Sequence, residues 1–216
     1  MKKEDNAVRR FVSSKVVRVI ALVVVVLLIV EIVVTNSTIL KVPTEQQSSF
    51  DSEKTSEKNL TSEYKQATKY LEQEDYENTI SISEEALKKY GDNEDTLNFK
   101  KLLAVSYFQT GNFAEAKKNV NAVIDSGSLE PELNFLRGVC EMSEEQFEMA
   151  IEDFTLALSV EELKDEALYN RGLCNFKLGK NEEAATDFQE IIDRDSDKET
   201  VDLVYELLGI DPEQIN

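Results

Sequence analysis

The distribution of apolar residues divides the chain into three parts. Residues 19–30 form an unbroken apolar run inside a longer apolar segment, 16–34. Residues 35–59 are rich in Ser, Thr, Glu, Gln and Lys, and no helical or strand period persists through them. From about Leu60 onward, apolar residues recur three and four positions apart, which is the spacing of one face of an α-helix. The pattern predicts one apolar span, a linker and an all-α domain.

The apolar segment at 16–34 has the length of a transmembrane helix. As a helix it covers about 28 Å, close to the ~30 Å hydrocarbon core of a bilayer. A cleaved secretory signal peptide is the alternative, because it also combines a basic leader with an apolar run. The sequence EIVVTNST that follows contains no A-x-A-like cleavage site, and apolar residues resume past Glu31. An uncleaved signal anchor is therefore favoured.

The charges around this span predict its orientation. Six basic residues lie within the first 18 positions, so the positive-inside rule places residues 1–15 in the cytoplasm as a basic tail. Residues 35–59 are then a flexible stalk on the outer side of a cell membrane, and residues 60–216 form the domain beyond it. Glu31 is interpreted as a carboxylate at the membrane interface, the alternative being a contact with a basic residue of a partner helix.

The helical domain contains a repeat of thirty-four residues. Small, acidic and aromatic residues recur at this offset: Gly138 with Gly172, Cys140 with Cys174, Ala150 with Ala184, Asp153 with Asp187, and Phe154 with Phe188. One period upstream, the corresponding positions hold Ala104, Phe113 and Ala116. A further copy carries Ala67, Tyr70, Tyr76 and Ala86, and a few extra residues around GDNED separate it from the next.

The spacing, with LYNRGLCNFKLGKNEEAATDFQEII as its clearest copy, resembles the tetratricopeptide repeat, a helix–turn–helix unit of thirty-four residues. The resemblance implies a right-handed α-solenoid of about four helix pairs, closed by a C-terminal capping helix and preceded by the transmembrane helix. The repeats are placed at about 60–93, 97–130, 131–164 and 165–198, and the capping helix at 199–209.

The recurring residues are interpreted as packing. Gly138 and Gly172 are expected where the two helices of a repeat cross closely, with Ala150 and Ala184 facing them. Phe154 and Phe188 are expected to fill the space between successive repeats. A glycine inside a helix costs up to about 1 kcal/mol relative to alanine, so close packing has to compensate for it.

The cysteines and arginines within the repeat each leave an alternative. Equivalent positions in adjacent repeats are roughly 10 Å apart, beyond the ~7 Å limit for a disulfide. Buried free thiols are therefore favoured over a disulfide or redox role. Arg137 and Arg171 each precede an aspartate by sixteen residues, which predicts an ion pair within each repeat. A ligand-binding role for either arginine is the alternative.

The resemblance implies a protein-interaction module, because tetratricopeptide domains generally bind peptides or proteins in the concave groove lined by their first helices. At the matching positions this chain would place an apolar, aromatic lining. Its members would be Tyr64, Thr68, Leu71, Lys101, Val105, Phe108, Phe135, Val139, Met142, Tyr169, Leu173 and Phe176. A regulatory or chaperone-like accessory subunit of an envelope or secretion complex is the alternative function.

Composition bears on the other classes of function. The chain carries 24 basic and 43 acidic residues, and an acidic surface repels phosphate backbones, which argues against nucleic acid as a partner. It contains no histidine, which removes the usual general base near neutral pH and the His-based metal sites. No nucleophile motif or glycine-rich phosphate loop occurs. The expectation is a non-enzymatic protein with a protein or peptide partner, no metal or other cofactor and no small-molecule substrate.

Overall fold

The structure, a computed structural model, describes residues 47–194, 201–202 and 204–205, with side chains from Asn59 onward. Throughout these residues the regular structure is helical. The tail predicted at 1–15 and the span predicted at 16–34 lie outside them. Among the helices in the described ranges, none combines the length and the apolar character needed to cross a bilayer.

Eight α-helices follow one another in residues 47–194. They are α1 Gln47–Glu72, α2 Tyr76–Tyr90, α3 Leu97–Gln109, α4 Phe113–Asp125, α5 Pro131–Ser143, α6 Phe147–Ala157, α7 Lys164–Lys177 and α8 Asn181–Asp193. Short 3-10 turns at Glu94–Thr96 and Glu161–Leu163 precede α3 and α7. Within the predicted capping helix, the described residues 201–202 and 204–205 are helical, and Val204 is buried.

Helix α1 begins earlier than the apolar pattern predicts. It is 26 residues long and starts at Gln47, whereas the predicted stalk extends to residue 59. Residues 47–59 are therefore helical in the structure, and residues 35–46 of the stalk lie outside the described part. The pattern missed this extension because the segment QSSFDSEKTSEKN contains too few apolar residues to show a period.

Each helix pair is closed by the same tight turn. The residue three positions after the end of the first helix donates its backbone N–H to the carbonyl of the residue five positions before it. Asn112 donates to Tyr107 in this way at 2.8 Å, and Lys180 donates to Asn175 at 2.9 Å. This is the pattern of a Schellman motif, which requires one residue in the left-handed region. Gly111 and Gly179 supply it in two of the turns. The other two use non-glycine residues, Glu74 at φ 57° and Glu145 at φ 60°.

The chain divides into two compact units, which meet in sequence between Gly127 and Ser128. In the first, α1 packs on α2 and α3, α2 packs on α3, and α3 packs on α4. Tyr64 and Phe99 make an edge-to-face contact with ring centroids 5.6 Å apart, and Phe108 makes a similar one with Phe113. Alanines and valines complete this core, among them Ala67, Ala104, Ala116, Val120 and Val123.

In the second unit, α5 packs on α6 and α7, α6 packs on α7, and α7 packs on α8. One aromatic pair joins each hairpin. The Phe135 and Phe154 ring centroids are 5.5 Å apart across α5 and α6, and those of Tyr169 and Phe188 are 6.2 Å apart across α7 and α8. These contacts lie inside a pair, while the placement of Phe154 and Phe188 between successive repeats stays a prediction.

The two repeated glycines do lie at close helix crossings, but alanine is not what faces them most closely. A Cβ built on Gly138 would come within 3.0 Å of Phe154 Cε1, and one on Gly172 within 2.6 Å of Phe188 Cε1. The prediction that Ala150 and Ala184 are the residues facing these glycines is therefore wrong, because phenylalanine rings lie closer. Both alanines are buried in the same hairpins, while the phenylalanine rings pass directly over the glycines.

The predicted ion pairs are confirmed. Arg137 donates from Nε and Nη2 to both carboxylate oxygens of Asp153, each at 2.7 Å. Arg171 makes the same bidentate contact with Asp187, at 3.1 and 2.6 Å. Both aspartates are almost fully buried, and bidentate geometry strengthens such charge-assisted bonds. Each pair therefore ties the first helix of a hairpin to the second.

Candidate protein-binding surface

The side chains predicted to line a groove lie on α1, α3, α5 and α7, and the structure buries most of them. Those in the first compact unit are all buried: Tyr64, Thr68, Leu71, Lys101, Val105 and Phe108. In the second unit Phe135, Val139 and Tyr169 are buried as well. They therefore belong to the cores of the helical units rather than to an open surface.

Three of the predicted residues remain accessible, all in the second unit. Met142 and Leu173 are partly exposed, and Phe176 is 51% exposed. Leu173 and Phe176 are three positions apart and therefore share a face of α7. Met142 holds the position on α5 that corresponds to Phe176 at the thirty-four-residue offset. We call these three residues the α5/α7 face, and they form the part of the predicted lining that can contact a partner without rearrangement.

The surroundings of this face are acidic. Residues 128–194 contain 17 acidic and six basic side chains. Four of the basic ones are engaged within the unit. Arg137 and Arg171 form the pairs described above, Lys164 lies 2.9 Å from Glu190, and Arg194 contacts Glu161 and Asp165 at 2.6 Å each. The Arg194 guanidinium lowers the pKa of the Glu161 carboxyl, mainly by hydrogen bonding to its charged form.

The two cysteines are buried free thiols, as predicted. Burial raises the pKa of the Cys174 thiol to about 12. A thiol reacts as its thiolate, so Cys174 keeps its proton near neutral pH and is a poor nucleophile. Within the described residues, no group of three or more His, Cys, Asp or Glu side chains is arranged to hold a metal ion.

Sequence reasoning missed two exposed apolar residues on α6. Met149 and Leu156 are 54% and 55% exposed, and neither belongs to the predicted lining. A signal for them was present in the repeat itself. The residues thirty-four positions before and after Met149 are both glutamates, Glu115 and Glu183. An exposed apolar residue in one copy of a repeat, where the neighbouring copies have a polar one, indicates a surface that is particular to that copy.

Comparison with known proteins agrees with the helical hairpins. Two tetratricopeptide-repeat family models match the chain, one over residues 101–161 and one over residues 165–198. The chain therefore contains tetratricopeptide repeats within residues 101–198. Members of this family are typically protein-interaction modules rather than enzymes. No curated protein matches the sequence.

Solved structures of MamA have a similar fold. A MamA AMB-1 structure is 18% identical with a TM-score of 0.55, and the match covers 62% of this chain and 77% of that one. A MamA fragment from Desulfovibrio magneticus RS-1, residue 41 to the end, is 16% identical with a TM-score of 0.53, covering 62% and 74%. Another MamA crystal structure is 19% identical with a TM-score of 0.56, covering 70% and 83%. At such identities the likeness concerns the fold alone.

Proposed function

We propose that this chain is a membrane-anchored protein-interaction module that binds a peptide or protein partner through the first helices of its repeats. The observation that carries the proposal is the match of two tetratricopeptide-repeat models to residues 101–161 and 165–198. Domains of this family generally hold their partners on the first-helix side. Of the residues predicted to line that side, those of the α5/α7 face are accessible.

The chemistry of the α5/α7 face suits a partner with an apolar anchor. Phe176 offers an exposed aromatic ring, and aromatic side chains are enriched among the residues that dominate binding energy. Leu173, three positions before it on α7, and Met142, at the equivalent position of α5, also have part of their surface accessible. The acidic surroundings favour a partner segment in which the apolar anchor is flanked by basic or neutral residues rather than by carboxylates.

Crosslinking in living cells tests this face. A photoreactive amino acid at position 176 should give a discrete crosslinked product, whereas the same residue at exposed Thr186 of α8 should not. The variant Leu173→Ser/Phe176→Ser should lose capture of the crosslinked protein by more than about tenfold, because interface anchors typically contribute above 1–2 kcal/mol each. Leu129→Ser removes an exposed leucine outside α5 and α7 and serves as the control. Unchanged capture by the double variant would exclude the α5/α7 face as the binding surface.

The membrane anchor and its orientation belong to the same proposal. The apolar segment at 16–34 and the six basic residues within the first 18 support a signal anchor with its N-terminus in the cytoplasm. The tetratricopeptide domain would then be displayed outside the membrane. Such a protein would recruit its partner to the outer face of the membrane that holds its anchor.

Protease accessibility tests the orientation. Protease added to intact, wall-stripped cells should digest the domain and leave a short N-terminal fragment with the membrane. Lysed cells provide the control for cleavage, and a cytoplasmic marker protein reports whether the cells stayed closed. Protection of the whole chain in closed cells would contradict the outward orientation, and release of the chain by alkaline carbonate would contradict the anchor.

A further inference from the structure

The exposed side of α6 carries two large apolar side chains that its hairpin does not use. Met149 and Leu156 are each more than half exposed. They are seven positions apart, so they lie on one face of the helix, separated by roughly 10 Å along its axis. The buried side of α6 is formed by other residues: Ala150, Asp153, Phe154 and Ala157. The hairpin core is therefore complete without Met149 and Leu156.

The repeat does not require these side chains either. The equivalent positions of the neighbouring second helices hold acidic or small residues: Glu115 and Ala122 in α4, and Glu183 and Glu190 in α8. Burial of these two apolar side chains against a partner would be favourable, and exposed apolar surface rimmed by polar residues is typical of docking sites. Their presence in α6 alone among these three helices points to a contact that is specific to α6.

Acidic side chains surround the apolar pair. Glu148 and Glu152 are exposed on the same side of α6. The stretch 138–163 contains eight acidic residues and no basic one. The basic group that reaches this helix from α7 is Arg171, which donates to Thr155 Oγ1 at 3.1 Å while Asp187 neutralises its charge. The surface therefore combines an apolar pair with an excess of negative charge.

We propose that this α6 face, formed by Glu148, Met149, Glu152 and Leu156, docks a basic amphipathic helix of a partner protein. Apolar residues of that helix, spaced to match Met149 and Leu156, would cover the two side chains. Lysines or arginines beside them would approach Glu148 and Glu152, so the contact has the form of one amphipathic helix laid along another. The α6 face lies on a second helix, apart from the α5/α7 face, and the inference does not rest on the function proposed above.

Charge decides between this partner and a second copy of the chain. Two copies meeting at α6 would bring together surfaces that are both acidic, since residues 128–194 carry 17 acidic and six basic side chains. Like charges facing each other across an interface oppose association. A basic helix instead gains from the same charges, and its association weakens as salt screens them.

Three labelled peptides of about 18 residues, five helical turns, probe the face. The first is a Leu/Lys peptide with leucines on one face, the second replaces every lysine with glutamate, and the third replaces every leucine with serine. Fluorescence anisotropy is measured against the purified full chain in a mild nonionic detergent, with the signal from detergent alone subtracted. The Leu/Lys peptide should bind at least about tenfold more tightly than either of the others, because the contact needs both apolar area and charge.

Variants locate the binding on α6. Met149→Ser/Leu156→Ser should weaken Leu/Lys binding by more than about tenfold, and Glu148→Gln/Glu152→Gln should weaken it and flatten its salt dependence. Leu129→Ser, which removes a leucine that is 90% exposed elsewhere, is the matched control and should bind as wild type. All four positions on the α6 face are exposed, so helix content should not change in any variant.

Several results would overturn the inference. Equal binding of the Ser/Lys peptide would show that charge alone is recognised, and equal loss in Leu129→Ser would show adhesion to any exposed leucine. Wild-type binding by Met149→Ser/Leu156→Ser would place the contact elsewhere. A dimer in sedimentation velocity that the same double variant dissociates would make a second copy the occupant.

Discussion

Gly138 and Gly172 hold equivalent positions, yet the two hairpins leave different room beside them. A methyl group added at Gly138 would lie 3.0 Å from the nearest ring atom, and one added at Gly172 would lie 2.6 Å from it. Alanine is the better helix former by up to about 1 kcal/mol, while overpacking typically costs about 1–3 kcal/mol. The balance between these two effects should differ at the two sites.

We expect Gly138→Ala to leave the free energy of unfolding within about 1 kcal/mol of wild type and Gly172→Ala to lower it by about 1–2 kcal/mol. Phe188→Leu removes the ring that a methyl group would meet, so adding it to Gly172→Ala should cost less than the two separate losses combined. Urea denaturation of all the variants measures this. Equal losses at both glycines would contradict the difference in room.

Glu74 and Glu145 occupy the left-handed region in turns where the other two repeats have glycine. An L-residue in that conformation is strained by roughly 1–2 kcal/mol, and a change to glycine removes this strain. Glycine also has greater freedom in the unfolded chain, which reduces the gain in stability by about 0.4–1 kcal/mol. Glu145→Gly should therefore stabilise the protein by about 0.5–1 kcal/mol in urea denaturation. Its control is Glu144→Gly, where φ is −94° and glycine can only destabilise. A loss of stability at both positions would show that the turn is not strained.

At the scale of the element, the bidentate ion pair joins the two helices of a hairpin. Arg171 and Asp187 pair across α7 and α8, and Asn175 lies within 3.4 Å of the same carboxylate. Asp187 is almost completely buried, so removing only the arginine leaves a buried carboxylate without its counter-charge. Breaking a buried pair on one side typically costs about 3–5 kcal/mol, whereas replacing both members with apolar residues is often nearly neutral.

Arg171→Met should accordingly lower the free energy of unfolding by about 3 kcal/mol. Arg171→Met/Asp187→Leu should recover most of that loss, which gives a double-mutant cycle with a large coupling energy. Urea is the denaturant of choice, because it is uncharged and keeps ionic strength constant during the measurement. Additive losses in the double variant would mean that the two side chains contribute independently.

The offset of thirty-four residues predicts much of the fold, but it does not predict which side chains are accessible. The repeat predicts hairpins in the correct order, and it places Arg137 opposite Asp153 because the same spacing recurs in the next copy as Arg171 and Asp187. Burial of Phe135 depends on how the helices pack in three dimensions, here against Phe154 of the same hairpin, and the offset alone does not encode such contacts. For the same reason the apolar positions of the first helices suggested a lining, while the structure leaves only Met142, Leu173 and Phe176 accessible.

At the scale of the whole molecule, charge is the dominant feature. The formal net charge is −19, and the part of the chain from residue 41 onward contains 40 acidic and 18 basic residues. Self-repulsion of this kind destabilises the compact state and opposes association between copies of the chain. Part of the stability of the domain therefore depends on screening by dissolved ions.

The melting temperature of the full chain should rise by several degrees as ionic strength increases from about 0.01 to 0.15 M, because the screening length falls from about 30 to 8 Å. Sodium chloride and choline chloride should act alike at equal ionic strength, since screening does not depend on the cation. A melting temperature that is flat or falls with salt would contradict the repulsion. A response to sodium alone would indicate a specific ion instead.

The ion pairs within the α5/α6 and α7/α8 hairpins have a consequence for how such a chain can change in length. Arg137 and Arg171 are thirty-four residues apart, and each finds its aspartate sixteen residues further on. A deletion of residues 138–171 would join Arg137 directly to Gly172, and Asp187 would then lie sixteen positions after that arginine. The fused helix would also keep its glycine under the ring of Phe188. The chain can therefore lose or gain a segment of this length while Arg137 and Asp187 each keep a counter-charge inside the hairpin.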